Sequence, residues 1–354
     1  METRTHSGRR ILKIAAITVL AAALIIAIAF FALFHNELAT LNSIERIDGT
    51  TLFTMDFQGD YGFDEFLSTG ASNDTELIGF ITRQLLKGIP MEFDLPDLGC
   101  STFAAGLSDG TPIFGRNFDM YYSPALLVTT RPENGYDSIS MVNLAYIGFG
   151  EDRLPTSLAS SLMTLAAPYV PLDGVNEKGL AVGVLLIDTE PTDQQTDKVD
   201  ITTTTAIRLL LDRAATVDEA LELLAQYDMH SSANSCYHFH IADAQGGSVI
   251  VEYIGDEMSV VEGRAATNFL LTPGDYDFGS GQDRYQTLAD TLDANGGIFA
   301  DTGEAMELLA AVRQTPRPDK DSVTQWSCIY DLENIALEVC MSMDYDSVYR
   351  FSLG

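Results

Sequence analysis

Asp109-Gly110 sits between two short runs of strand length, Gly99-Cys100-Ser101-Thr102-Phe103 before it and Gly115-Arg116-Asn117-Phe118-Asp119 after it. An Asp-Gly pair in this setting is a strong local signal for a β-hairpin. With a two-residue turn, position 100 falls opposite position 119. Directly opposed side chains on paired strands have Cβ atoms only about 4.5–5.5 Å apart. The hairpin then sets a thiol beside a carboxylate, with a guanidinium three residues away. A cation and a hydrogen-bonding acid are the surroundings that activate a cysteine. The same register puts Arg116 on the face opposite Cys100, so a β-bulge is expected near Gly115.

Upstream the composition changes. Ile14 to Phe34 is a run of 21 residues without a charge, long enough to span a bilayer. Arg4, Arg9, Arg10 and Lys13 precede it, and Glu37, Glu45 and Asp48 follow. This asymmetry predicts a cytoplasmic N-terminus and an exported remainder. A signal anchor is expected, giving a single-pass membrane protein with its globular part outside the cell. The alternative is a secreted protein with a cleaved signal, whose apolar region is normally about 7–15 residues followed by small residues. Here the run ends Phe-Phe-Ala-Leu-Phe-His, a poor cleavage site.

The net charge is −31 over 354 residues. Residues 1–35 carry four basic residues and one acidic; without them 16 basic residues face 50 acidic ones, a net of −34. Such a surface repels nucleic acid and anionic headgroups, so neither is an expected partner. The four cysteines, Cys100, Cys236, Cys328 and Cys340, contain no CxxC pair, and no metal site is expected. In an exported chain, a Cys328–Cys340 bridge across a hairpin is possible.

Three regions follow: 1–35, the cytoplasmic tip and membrane segment; 36–99, a separate region with a helix near 74–88 and a loop-like end at Pro90, Pro96 and Gly99; and 100–354, where strands dominate. Thr202–Ala215 has helical periodicity. Thr216-Val217-Asp218-Glu219 is a capping box opening a helix through Tyr227. Tyr237–Asp243 and Ser248–Tyr253 pair around Gln245-Gly246-Gly247. Asp301 caps a helix reaching about Arg313, and Ser322–Asp331 with Ile335–Ser342 forms a last hairpin. Strand pairs alternating with helix pairs point to an α+β fold of sheets covered by helices.

Cys100, Arg116 and Asp119 have a spacing that resembles the linear amide C–N hydrolases of the choloylglycine hydrolase group. Asp173-Gly174-Val175-Asn176-Glu177-Lys178-Gly179-Leu180, Ala266-Thr267-Asn268-Phe269, Asp283-Arg284-Tyr285 and Gln325-Trp326-Ser327-Cys328-Ile329-Tyr330-Asp331 follow in that family's order. Met120 departs from the pattern, since relatives often carry an aromatic there. The resemblance implies a four-layer αββα N-terminal-nucleophile sandwich, no cofactor, and a small-molecule N-acyl amide as substrate. It leaves the acyl group open among bile-acid conjugates, penicillin V, N-acyl amino acids and acyl-homoserine lactones.

The resemblance also assigns roles. Cys100 would be the nucleophile, Asp119 would orient its freed amine, and Arg116 would stabilise the thiolate. Asn176 and Asn268 would bind the oxyanion and position the amide, and Arg284 would lie near the nucleophile. Each has a plainer alternative: a core cysteine, a turn acid, a surface arginine, a turn asparagine, a strand-end cap, and an ion pair with Asp283 or Asp290. His238 and His240 alternate on one strand face, which points to sheet packing. With no histidine placed as base, the α-amine of residue 100 would serve, its unperturbed pKa of about 7.7–8.0 lying near working pH. That amine exists only if Gly99–Cys100 is cut, so self-cleavage is implied, with 36–99 as propeptide or small subunit. Two other outcomes stay open: an acyltransferase using the same acyl-enzyme, and an acidic surface domain without turnover.

Overall fold

The computed structural model describes residues 3–91, 99–316 and 321–354. Pro96, expected in the loop before Gly99, lies outside the described residues. Helix α1 (Thr3–Leu33) carries the uncharged run, and its Leu12–Leu33 stretch is long and apolar enough to cross a membrane and is not buried by the rest of the chain. Then come α2 (His35–Asn42), β1 (Glu45–Arg46), β2 (Leu52–Asp56), α3 (Phe63–Thr69) and α4 (Asp74–Gln84). Asn73 starts α4 by accepting the Glu76 N–H at 3.0 Å, satisfying a donor that has no partner within the helix.

The hairpin is β3 (Gly99–Leu107) and β4 (Pro112–Met120). After it come β5 (Ala125–Thr130), β6 (Ser138–Asn143), β7 (Asp173–Asn176), β8 (Ala181–Ile187), β9 (Val199–Thr202), α5 (Thr203–Arg213), α6 (Val217–Leu224) and β10 (Tyr227–His230). The chain closes with β11 (Cys236–Ala242), β12 (Ser248–Ile254), β13 (Glu257–Glu262), β14 (Ala265–Ala266), α7 (Gln282–Ala294), β15 (Ile298–Phe299), α8 (Thr302–Ala311), β16 (Val323–Asp331), β17 (Ala336–Met341) and β18 (Tyr349–Ser352). Helix α6 stops before Tyr227, because Tyr227 pairs with Val199 in a short parallel ladder between β10 and β9.

Two sheets face each other. One runs β1-β2-β5-β6-β7-β8-β11-β12-β13; the other runs β14-β3-β4-β16-β17-β18, with β15 on β3. Strands β3 and β8 meet across the interface, α5 covers the first sheet at β7 and β8, and α7 and α8 cover the second. This is the αββα layering. Cys100, Phe114, Phe118, Cys328 and Tyr330 belong to the core between the sheets. Phe103, Ile113, Ile329 and Cys340 alternate to the other face and pack with Leu288 and Leu309 of the covering helices, as the period of two requires. Cys328 and Cys340 therefore point to opposite faces: Ser327 pairs with Cys340 and Cys328 with Val339. All four cysteines are free thiols, and the Cys328–Cys340 bridge that a hairpin would allow is not formed.

The hairpin register is one residue off the expected one. Gly99 pairs with Asp119 and Cys100 with Phe118. The turn holds three residues rather than two: Leu107 N–H donates to the Thr111 carbonyl at 2.8 Å, and Gly110 takes φ 97°, a conformation glycine adopts without a Cβ penalty. A one-residue slip exchanges faces. Arg116 now shares the inter-sheet face with Cys100, while Asp119 lies on the other. No bulge is needed near Gly115, and the β3–β4 ladder is unbroken. The bulge lies instead in β16, between Thr324 and Trp326.

Residues 45–56 extend the first sheet, β2 running parallel to β5 from Leu52–Ala125 to Asp56–Thr129. Tyr61 Oη donates to the Asp212 carboxylate at 2.7 Å, and Asp212 is paired with Arg208 at 2.8 Å, all three fully buried or nearly so. The rings of Phe63, Phe66 and Phe80 pack on Tyr169. The segment before Cys100 is thus built into the same core as the segment after it.

Candidate active site

Cys100 has no solvent exposure in the intact chain. Its Sγ accepts a hydrogen bond from Arg116 Nη2 at 3.3 Å. Burial pushes the thiol up from its ordinary value, and the Arg116 guanidinium pulls it only part of the way back. Arg116 is itself fully buried and ion-paired, Nε to Asp173 Oδ2 at 2.7 Å, with Tyr330 Oη donating to Asp173 Oδ1. Burial pushes the Asp173 carboxyl above its ordinary value, and Arg116 and Tyr330 pull it only part of the way back. One buried cation is thereby held against both a carboxylate and a sulfur, the environment that stabilises a thiolate once one forms.

A second set of groups surrounds the backbone nitrogen of the same residue. Cys100 N–H donates to Asn268 Oδ1 at 2.9 Å. Arg284 Nη2 donates to that oxygen at 2.9 Å, and Arg284 Nη1 pairs with Asp119 Oδ2 at 2.5 Å. Thr324 Oγ1 donates to Asp119 Oδ1 at 2.6 Å and accepts the Gln314 N–H at 2.8 Å. Asn268 Nδ2 donates to the Leu186 carbonyl at 2.9 Å, which leaves one of its two amide protons for another acceptor. Gly99 is crowded: a Cβ there would meet Gln314 Oε1 at 3.0 Å and the Asp119 Cβ at 3.1 Å.

Five of the six expected residues therefore gather around residue 100: Cys100 itself, Arg116, Asp119, Asn268 and Arg284. Arg284 pairs with Asp119 rather than with Asp283 or Asp290. Asn176 does not join them. Its Nδ2 donates to the carbonyls of Leu211 at 3.0 Å and Ala214 at 2.7 Å, and its Oδ1 accepts the N–H groups of Lys178 and Leu180. With both amide protons spent on the end of α5, it has none to give an oxyanion. It ties the turn after β7 to that helix. Asp173, three residues earlier in the same motif, is the member that reaches the site, through Arg116. Thr324 and Gln314 carry no sequence signal of their own, although Thr324 directly precedes the Gln325-Trp326 motif.

The histidines are engaged elsewhere. His230 lies between Asp193 and Asp200, at 2.8 and 2.9 Å. His240 bonds Thr102 and Ser248, and burial pushes it down to about 3, so its ring is neutral. His238 bonds Glu252 and the Thr267 carbonyl. Among the described residues, no group of three or more His, Cys, Asp or Glu is placed to hold a metal ion.

The profile of the linear amide C–N hydrolases, choloylglycine hydrolase family, matches residues 100–279, half of the chain, starting at Cys100. The chain belongs to this family, and it is a hydrolase of C–N bonds in linear amides. A mutant of conjugated bile acid hydrolase from Clostridium perfringens superposes with TM-score 0.53 at 17% identity, over 72% of this chain and 92% of that one. A second variant of the same hydrolase gives TM-score 0.55, with the same identity and coverage. Penicillin V acylase from Agrobacterium tumefaciens gives 0.53 at 18% identity, over 72% of this chain and 86% of that one. These likenesses show a common N-terminal-nucleophile fold. No curated protein matches the chain.

Proposed function

We propose that this chain is an exported, membrane-anchored amidase that cuts itself between Gly99 and Cys100 and then uses Cys100 as an N-terminal nucleophile. The observation that carries the reading is the placement of the second set of groups. A buried peptide N–H needs one acceptor. Here that nitrogen has an asparagine oxygen, buttressed by an arginine, an aspartate and a threonine. Such a cluster suits an amine that must gain and lose a proton.

In the first reaction Cys100 Sγ attacks the Gly99 carbonyl, and the acyl group moves from nitrogen to sulfur. Water hydrolyses the thioester, leaving a carboxylate on Gly99 and a free α-amine and thiol on Cys100. In the second, the amine takes the Sγ proton and the thiolate, facing Arg116, attacks the amide carbonyl of substrate. The free proton of Asn268 Nδ2 supports the oxyanion, a donor worth about 3–4 kcal/mol. The Cys100 amine passes the Sγ proton to the leaving amine, and then deprotonates the water that hydrolyses the thioester, releasing the acid and the Cys100 thiol. Residues 36–99 stay as a small subunit, held by β2 and Tyr61. Helix α1 tethers that subunit to the membrane, with the catalytic part outside the cell.

The test is N-terminal sequencing and mass spectrometry of the full-length protein purified in detergent, together with hydrolysis of N-acyl amides. The panel comprises a bile-acid conjugate, penicillin V, an N-acyl amino acid and an acyl-homoserine lactone. A chain beginning Cys-Ser-Thr-Phe is expected, with Cys100→Ala uncut and inactive. An active enzyme whose chain stays whole would sink the α-amine mechanism.

A further inference from the structure

His238 and Glu252 are fully buried, yet they play no part in the chemistry above. They lie on neighbouring strands, β11 and β12, one rung past the Phe239–Val251 pair. His238 Nδ1 lies 3.2 Å from Glu252 Oε1, and its Nε2 lies 2.7 Å from the Thr267 carbonyl oxygen. Glu252 accepts two backbone donors as well: Leu271 N–H on Oε1 at 2.7 Å and Thr272 N–H on Oε2 at 2.8 Å. The pair thus grips residues 267 and 271–272, on both sides of Asn268.

This grip replaces a ladder. Strand β14 ends at Ala266, and beyond it the regular pairing is a single bridge between Asn268 and Ser280. Without the two side chains, the Thr267 carbonyl and the amides of 271 and 272 would lose the partners they have. We propose that His238 and Glu252 are positioning residues that fix the segment carrying Asn268, and through it the nitrogen of Cys100; this rests on the amidase reading above.

The protonation follows from the partners. A carbonyl oxygen only accepts, so Nε2 carries a proton. Glu252 takes three donors; burial raises its carboxyl, but His238 and the amides of Leu271 and Thr272 outweigh that and hold it below the usual carboxylate value. Nδ1 lies against the Glu252 carboxyl, so the ring bridges Glu252 and the Thr267 carbonyl. His240, two residues along on the same face, provides the contrast: it is equally buried and doubly bonded, but its partners Thr102 and Ser248 lie outside residues 267–272.

The experiment compares His238→Gln, Glu252→Gln and His240→Gln in the full-length protein, well below the melting temperature of each. The readouts are kcat and KM on the best amide, and the rate at which the newly made chain is cut. A misplacement of about 1 Å at a reacting group costs on the order of 10²-fold in rate. His238→Gln and Glu252→Gln are expected to lower kcat by about that factor with KM within about twofold, and to slow cutting, while His240→Gln changes neither. Equal losses in all three variants would make the effect general core damage, and unchanged rates in the first two would overturn the inference. If wild type cuts itself but hydrolyses no amide, the amidase reading has failed, and the cutting rates still test the positioning.

Discussion

The two sides of residue 100 are built differently. On the thiol side, Arg116, Asp173 and Tyr330 are sealed between the sheets with no exposure. On the nitrogen side, the charges run outward, from fully buried Asp119 to Arg284, which keeps 9% of its surface exposed. A sealed ion pair is costly to disturb, because removing one partner strands a charge without water. The nitrogen-side cluster keeps a small opening through Arg284. Under the proposed mechanism, the thiol side carries the larger share of stability beside its part in attack, and the nitrogen side acts mainly in turnover.

That division can be broken by substitution, with stability measured by denaturant titration in the uncut Cys100→Ala background. The largest effect is expected on the sealed side. Asp173→Asn leaves the Arg116 charge without its counter-ion and should cost about 3–5 kcal/mol; an unchanged midpoint would show that the pair does not hold the core. Next, Asn268→Ala in the active protein should lower kcat by ~10²-fold or more with little change in KM and a near-normal melting temperature. A change confined to KM would make it a binding residue only.

Asn176→Ala sharpens the contrast. It leaves the carbonyls of Leu211 and Ala214 and the amides of Lys178 and Leu180 without their partner, so about 1–3 kcal/mol of stability should go. Below its melting point kcat should stay within about twofold of wild type; a tenfold fall would return it to the site. The most gradual effect is a pH slope. The His240 pKa is depressed to about 3, so its contribution is present above the unfolded value of about 6.5 and is lost as pH falls below it. Between pH 6.5 and 4.5 stability should fall by up to about 1.4 kcal/mol per unit more in wild type than in His240→Gln; parallel curves would refute this.

Much of the site was legible because spacing along a strand survives folding: Cys100, Arg116 and Asp119 share a hairpin, and Asn268 and Arg284 follow in family order. The face each occupies was not legible. It turned on whether the Asp109-Gly110 turn held two residues or three, which Gly110 at positive φ and the Thr111 carbonyl decide. Asn176 looked like Asn268 in sequence, and only the carbonyls at the end of α5 set them apart. Thr324 and Gln314 come to Asp119 from about 200 residues away, a distance across which no local pattern reaches. The four layers follow from which faces pack, and alternation alone does not say which sheet meets which.

Strand β2 lies in the sheet on one side of the proposed cut, and its neighbour β5 lies on the other. If residues 99 and 100 part as proposed, the molecule becomes two chains sharing one sheet. Only the uncut precursor would then fold as a single molecule, at any dilution. A cut enzyme that unfolded would have to find its other half again by collision, without the covalent link that first guided the pairing. Its lifetime would be a matter of how slowly it opens rather than of where an equilibrium lies.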